Sequence, residues 1–193
     1  MLKTTAMILQ ELQNYASPAD KLTRLVKNGV YIPVVHGLYE TDRSTPGYLL
    51  AGSIYGPSYL SFEFALAYYG LIPEAVYTFT CATFAKKKKK AYQTPFGNFT
   101  YQDVPAAAYP YGLKIKQEGA YSYLLAAPAK ALCDQLYKLA PVHNYDELDK
   151  LLFEDLRLDE QELKKLRVDD ITFLAERYSS TTIKKLSGFL RRL

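Results

Sequence analysis

The chain of 193 residues contains no tryptophan, two cysteines and two histidines. Cys81 and Cys133 lie far apart and outside any C-x-x-C spacing, which argues against a disulfide framework or a cysteine zinc site. His36 and His143 are equally distant, so no pair of imidazoles stands at metal-ligand spacing. No run approaches the ~20 apolar residues that span a bilayer. The opening MLKTTAMILQELQNY has neither the continuous apolar core nor the small-residue cleavage site of a signal peptide. These absences predict a cytoplasmic protein with reduced, buried thiols, no metal, no cofactor and no membrane contact.

Catalytic signatures are also missing: there is no G-x-S-x-G, H-E-x-x-H, G-x-x-x-x-G-K-[ST] or G-x-G-x-x-G. Glu162-Leu163-Lys164 has the Glu-x-Lys spacing that metal-dependent nucleases place on a core strand. Here it lies in DEQELKKLRVDD, a charged, capped helix in which residues two apart do not face each other. The chain therefore reads as non-enzymatic.

What the sequence does have is 18 tyrosines and nine phenylalanines, side chains suited to half-buried sheet positions. Charge is unevenly spread. Residues 143–176 carry 5 basic and 11 acidic side chains, while 177–193 carry 5 basic and none acidic. Such an arrangement can pair with itself as readily as it recruits a polyanion, so the overall +4 only permits nucleic-acid binding.

The stretch SPADKLTRLVKNGVYIPVVHGLY, residues 17–39, carries the clearest pattern. Ser17 is a suitable N-cap, Pro18 suits the first helical position, and Gly29 stops the helix. Leu22, Leu25 and Val26 share one face, while Lys21, Arg24 and Lys27 step along the other. A hairpin of strands 30–34 and 38–40 follows, with Pro33 restricting the first to an edge. An apolar face would dock on a core, leaving the basic face free for phosphates beside a wing. A first helix over 3–15 completes a module with two helices before its wing, one fewer than a full winged helix-turn-helix.

Beyond it, the pattern predicts a helix at 47–55 and another from Ser58 or Ser61 to Tyr69, ended by Gly70. Strands follow at 76–84, 92–104 with a turn at 95–98, 111–117 and 120–125. From Ala126 the chain becomes helical, with Pro128 opening a helix, capping boxes at Asn144/Glu147 and Asp159/Glu162, and Ser179 or Ser180 capping the last. Three or four helices thus close the protein. The expected fold is α+β: an abbreviated winged helix over 1–42, then a domain over 43–193 that is sheet-containing over 43–125 and helical over 126–193.

Lys86, Lys87, Lys88, Lys89 and Lys90 form the strongest electrostatic feature. Mutual repulsion predicts an exposed, mobile hairpin tip, which either attracts phosphates or protects a sheet edge from aggregation. With His36 on the hairpin and the Lys21/Arg24/Lys27 face, these lysines complete the candidate DNA-contacting set.

Several blocks resemble the AbiEi family of antitoxins, from bacterial type IV toxin-antitoxin (abortive infection) systems. They are Leu25-Val26-Lys27-Asn28-Gly29 leading to His36-Gly37-Leu38-Tyr39, and Tyr59-Leu60-Ser61-x-Glu63-x-Ala65-Leu66-x-x-Tyr69-Gly70-Leu71-Ile72-Pro73. The likeness continues through Thr94-Pro95-x-Gly97-x-Phe99-x-Tyr101 and Ala127-Pro128-x-Lys130-Ala131-Leu132-x-Asp134. The resemblance covers about residues 17–140. It implies a winged helix that binds operator DNA and represses its own promoter, and a C-terminal domain that counters a nucleotidyltransferase-like toxin without requiring a direct complex. The alternative is a protein-interaction module whose winged helix no longer binds DNA.

Overall fold

A computed structural model describes residues 1–193 as a mixed α/β protein with two sheets and nine α-helices. The smaller sheet is antiparallel, with order β1-β3-β2, from β1 (Lys3–Thr4), β2 (Ile32–Val35) and β3 (Leu38–Glu40). Between β1 and β2 lie α1 (Thr5–Glu11) and α2 (Pro18–Lys27). The helix expected over 3–15 is therefore shorter. Lys3 and Thr4 are drawn into the ladder opposite Tyr39 and Leu38, and the Thr4 hydroxyl accepts the Met7 N–H at 3.3 Å as the N-cap.

Gly29 ends α2 because its φ of +74° lets two carbonyls find donors. The Gly29 N–H donates to Val26 at 3.0 Å and the Val30 N–H to Leu25 at 2.9 Å. Pro33 lies on the outer strand β2 and faces solvent, where a missing ladder donor costs nothing.

The larger sheet has six strands in the order β6-β7-β5-β4-β9-β8. These are β4 (Tyr59–Leu60), β5 (Thr78–Thr83), β6 (Lys90–Thr94), β7 (Gly97–Asp103), β8 (Leu113–Glu118) and β9 (Tyr121–Ala126). The β5/β7 and β4/β9 pairs are parallel and the others antiparallel. The lysine run is consequently not a hairpin tip. It carries the chain from β5 past β7 to β6, because β5 pairs with β7 in register from Thr78↔Asn98 to Thr83↔Asp103.

A 3-10 turn over Gly47–Leu50 leads into α3 (Ala51–Ile54), and Ser61 precedes α4 (Phe62–Tyr68). Five helices, rather than three or four, close the chain: α5 (Pro128–Lys138), α6 (Tyr145–Lys150), α7 (Glu160–Lys164), α8 (Val168–Tyr178) and α9 (Thr181–Leu190). The added break falls at Arg167, the N-cap of α8. At α6 the capping pattern is reciprocal: Asn144 accepts the Glu147 N–H at 2.8 Å, and Glu147 accepts the His143 N–H at 2.7 Å. At α7 only Asp159 caps, while Glu162 turns to Lys165.

One core of 37 buried residues spans the large sheet and the C-terminal helices, whereas Ile8, Leu12, Leu22 and Tyr31 form a separate cluster of four. Ile32 and Val34 of β2 belong to the large core. The small sheet is therefore docked through its outer strand, beside β6.

Candidate nucleic-acid interface

On α2 the apolar face closes on Ile8, Leu12 and Tyr31. Arg24 and Lys27 are exposed and make no salt bridge, and the Lys21 ammonium lies 4.6 Å from the centre of the Tyr15 ring. Asp20 occupies the same polar arc, which the basic stepping alone did not reveal; its carboxylate accepts the Ser17 hydroxyl at 2.7 Å. Ser17 therefore precedes the helix without its side chain bonding a helical N–H.

His36 is exposed at the β2–β3 turn, next to Gly37 at φ +79°. A cleft of about 340 Å³ separates this turn from α2 and is lined by Leu22, Thr23, Val26, Val35 and His36. The helix, the turn and the cleft thus form one continuous surface of the small module.

The lysine run lies beside the other sheet, and its first two residues make contacts there. Lys86 is half-buried: its ammonium donates to the Gly56 carbonyl at 2.9 Å and sits 5.1 Å from the Tyr55 ring centre. Asp103 uses both oxygens, accepting the Thr83 hydroxyl at 2.6 Å and the Lys87 N–H at 2.7 Å, with Lys87 at φ +58°. Lys88, Lys89 and Lys90 are exposed with no ion pair. Within the run, one carboxylate of β7 thus accepts the Lys87 N–H, while the last three ammonium groups face solvent. The run joins the α2 surface only through the seam where β2 packs beside β6, whose first residue is Lys90.

A second constellation is buried and escaped sequence reasoning. Asp134 of α5 accepts hydrogen bonds from Ser61 at 2.6 Å, from Tyr59 at 3.0 Å and from Tyr178. One turn earlier Lys130 lies 3.2 Å from Asp134 and donates to the Ala108 carbonyl at 3.0 Å and to the Tyr178 hydroxyl. Burial pushes the Asp134 carboxyl up and the Lys130 ammonium down, while each charge opposes the other's shift. None of the five side chains is more than 3% exposed, so no substrate reaches them. Their chemistry is cohesion: the network ties β4, α5, α8 and the turn at Ala108 together. A Lys and an Asp four apart within the apolar AKALCDQL was the available signal.

Cys81 and Cys133 are buried and free, and burial raises both thiols far above their ordinary range. No three His, Cys, Asp or Glu side chains gather as a metal-holding group, and no helix is long and apolar enough to cross a membrane. Compared with known proteins, the chain matches no family model and no curated protein.

Proposed function

We propose that the chain is an antitoxin-type transcriptional regulator. In this reading residues 1–42 are a shortened winged helix that binds operator DNA, and the remainder counters a nucleotidyltransferase-like toxin of the AbiEi class without requiring a stable complex. The observation that carries the DNA half is the free cationic edge of α2, Arg24 and Lys27, directly followed by the β2–β3 hairpin. The order β1-α1-α2-β2-β3, with β1 closing on β3, supports reading this module as a winged helix without a leading helix.

The antitoxin half rests on the sequence resemblance. Its two blocks around residues 59–73 and 127–134 are distant in the chain yet meet in the Tyr59/Ser61/Lys130/Asp134 network, as residues defining a common core do.

Co-expression with the toxin encoded alongside tests the assignment: the full chain restores colony counts and represses a promoter reporter. Loss of rescue at confirmed expression overturns the antitoxin half. The pair Arg24→Ala and Lys27→Ala abolishes repression, retains rescue and lowers the salt slope of operator binding by about 0.9 per lost phosphate contact. Asp20 within the basic arc and the two-residue turn at His36–Gly37 favour a second reading, a protein-interaction module. That reading prevails if neither operator binding nor its slope responds to the pair.

A further inference from the structure

We propose that β8 binds an extended segment of another protein, acidic at alternate positions and apolar between them, as a seventh strand of the large sheet. β8 is the outermost strand, and unlike β6, which lies beside β2, it has no strand next to it. The ladder sets which groups are free. The Ala127 N–H donates to the Gly112 carbonyl at 2.7 Å, and the register runs from Leu113↔Ala126 to Glu118↔Tyr121. In such an antiparallel ladder Lys114, Lys116 and Glu118 bond to β9, and Leu113, Ile115 and Gln117 turn their N–H and C=O groups to the open side. Nothing in the protein reaches those groups.

The side chains define what fits there. Ile115 is 78% exposed and borders a groove of about 350 Å³ lined also by Leu49, Pro57, Leu124 and Ser58. The Ser58 hydroxyl is buried without a hydrogen-bond partner. On the opposite face Lys114 and Lys116 hold their ammonium groups 5.4 and 5.8 Å from the ring centres of Tyr69 and Tyr68, and neither has a carboxylate partner.

An incoming strand therefore meets two unpaired cations on one face and an apolar rim on the other, and opposite charges across a ladder attract. Lysines alone would blunt an edge against pairing, but a large exposed isoleucine between them does the reverse. A second copy of this chain is a poor occupant. Two-fold pairing centred on Ile115 sets Lys114 against Lys116, and pairing centred on Lys116 sets that residue against itself. Pairing centred on Gln117, which sets Lys116 against Glu118, runs Ile115 and Lys114 off the strand onto the turn residues Gly119 and Ala120.

The test uses the full chain and a fluorescein-labelled six-residue peptide alternating glutamate and valine, with a lysine-for-glutamate peptide as control. Anisotropy shows saturable binding of the acidic peptide that weakens as salt rises, and none of the basic one. Residue-resolved amide exchange shows Leu113, Ile115 and Gln117 gaining protection on binding, while Lys114, Lys116 and Glu118 are protected throughout. Gln117→Pro removes one open-edge donor and no ladder bond; it weakens the peptide about tenfold with an unchanged circular dichroism spectrum. Equal binding of both peptides, protection at other amides, or no saturable binding at millimolar peptide overturns the proposal. So does concentration-dependent protection of the same three amides without peptide, which assigns the edge to a second copy.

Discussion

The two sheets solve the same problem at different scales. The large sheet and its helices share a core of 37 residues and a sealed polar network, whereas the module built on the small sheet owns four buried apolar side chains. So small a cluster supplies little hydrophobic stabilisation by itself, and the module gains the rest by lending Ile32 and Val34 to its neighbour. The difference teaches where charge can be kept free. The module leaves Arg24 and Lys27 unpaired at its surface, where water solvates them, while the body pairs its buried cation at Lys130 with Asp134.

The largest way to break the comparison is Asp134→Ala, which leaves Lys130 buried and uncompensated and costs about 3–5 kcal/mol, read from urea unfolding. Ile32→Ala removes one of the two buried apolar anchors of the seam. It costs about 3 kcal/mol and lowers the stability of both regions together, whereas Leu22→Ala raises amide exchange mainly within residues 1–42. Independent melting of the two regions in wild type would break the comparison itself.

Glu40 sharpens it through pH. Burial alone would raise its carboxyl, but hydrogen bonds from the Met1 amino group, the Tyr121 hydroxyl at 2.6 Å, and the Asp42 and Thr41 N–H groups outweigh burial and hold it below the ordinary 4.5. Its folded value being depressed, the stability it contributes is complete above the unfolded value and is lost as pH falls through the folded one. Glu40→Gln thus flattens the acid limb of the stability profile, and Tyr121→Phe does so less. Gly29→Ala costs about 1 kcal/mol, from backbone strain alone, since nothing lies within 4 Å of the added Cβ. Arg24→Ala with Lys27→Ala changes stability by under about 0.5 kcal/mol, so on the proposed reading any loss of operator binding by this pair reports a lost surface contact and not unfolding.

Much of this architecture was legible in the sequence. Gly29 and Gly70 marked helix ends because only a left-handed residue completes those caps, and Pro33 marked an edge because it cannot donate. The four longer strands were visible as aromatic and β-branched runs. β4 was not, since two fully buried residues, Tyr59 and Leu60, carry no period. Nor was the path of the lysine run, because the β5/β7 pairing that displaces it is non-local. For the candidate site, the free face of α2 followed from helical spacing, and the same spacing, four before Arg24 and seven before Lys27, puts Asp20 on it, whereas the carboxylate of Asp103 under the lysines depended on a three-dimensional neighbour. The Lys130–Asp134 pair reads in one dimension as an ordinary surface i, i+4 bridge, and only the surrounding apolar residues suggest otherwise.

The two-residue strand β4 also orders the assembly of the protein in time. Residues 78–103 and 113–126 each close locally into strand pairs, but the halves meet only where Leu60 pairs with Cys81 on one side and Leu125 on the other. That double pairing requires both halves to exist, and it closes a loop reaching across 65 positions of chain, from Leu60 to Leu125. Loop-closure entropy delays such a contact. The joint therefore forms late in folding, and substitutions at Leu60 accelerate unfolding while leaving the folding rate nearly untouched.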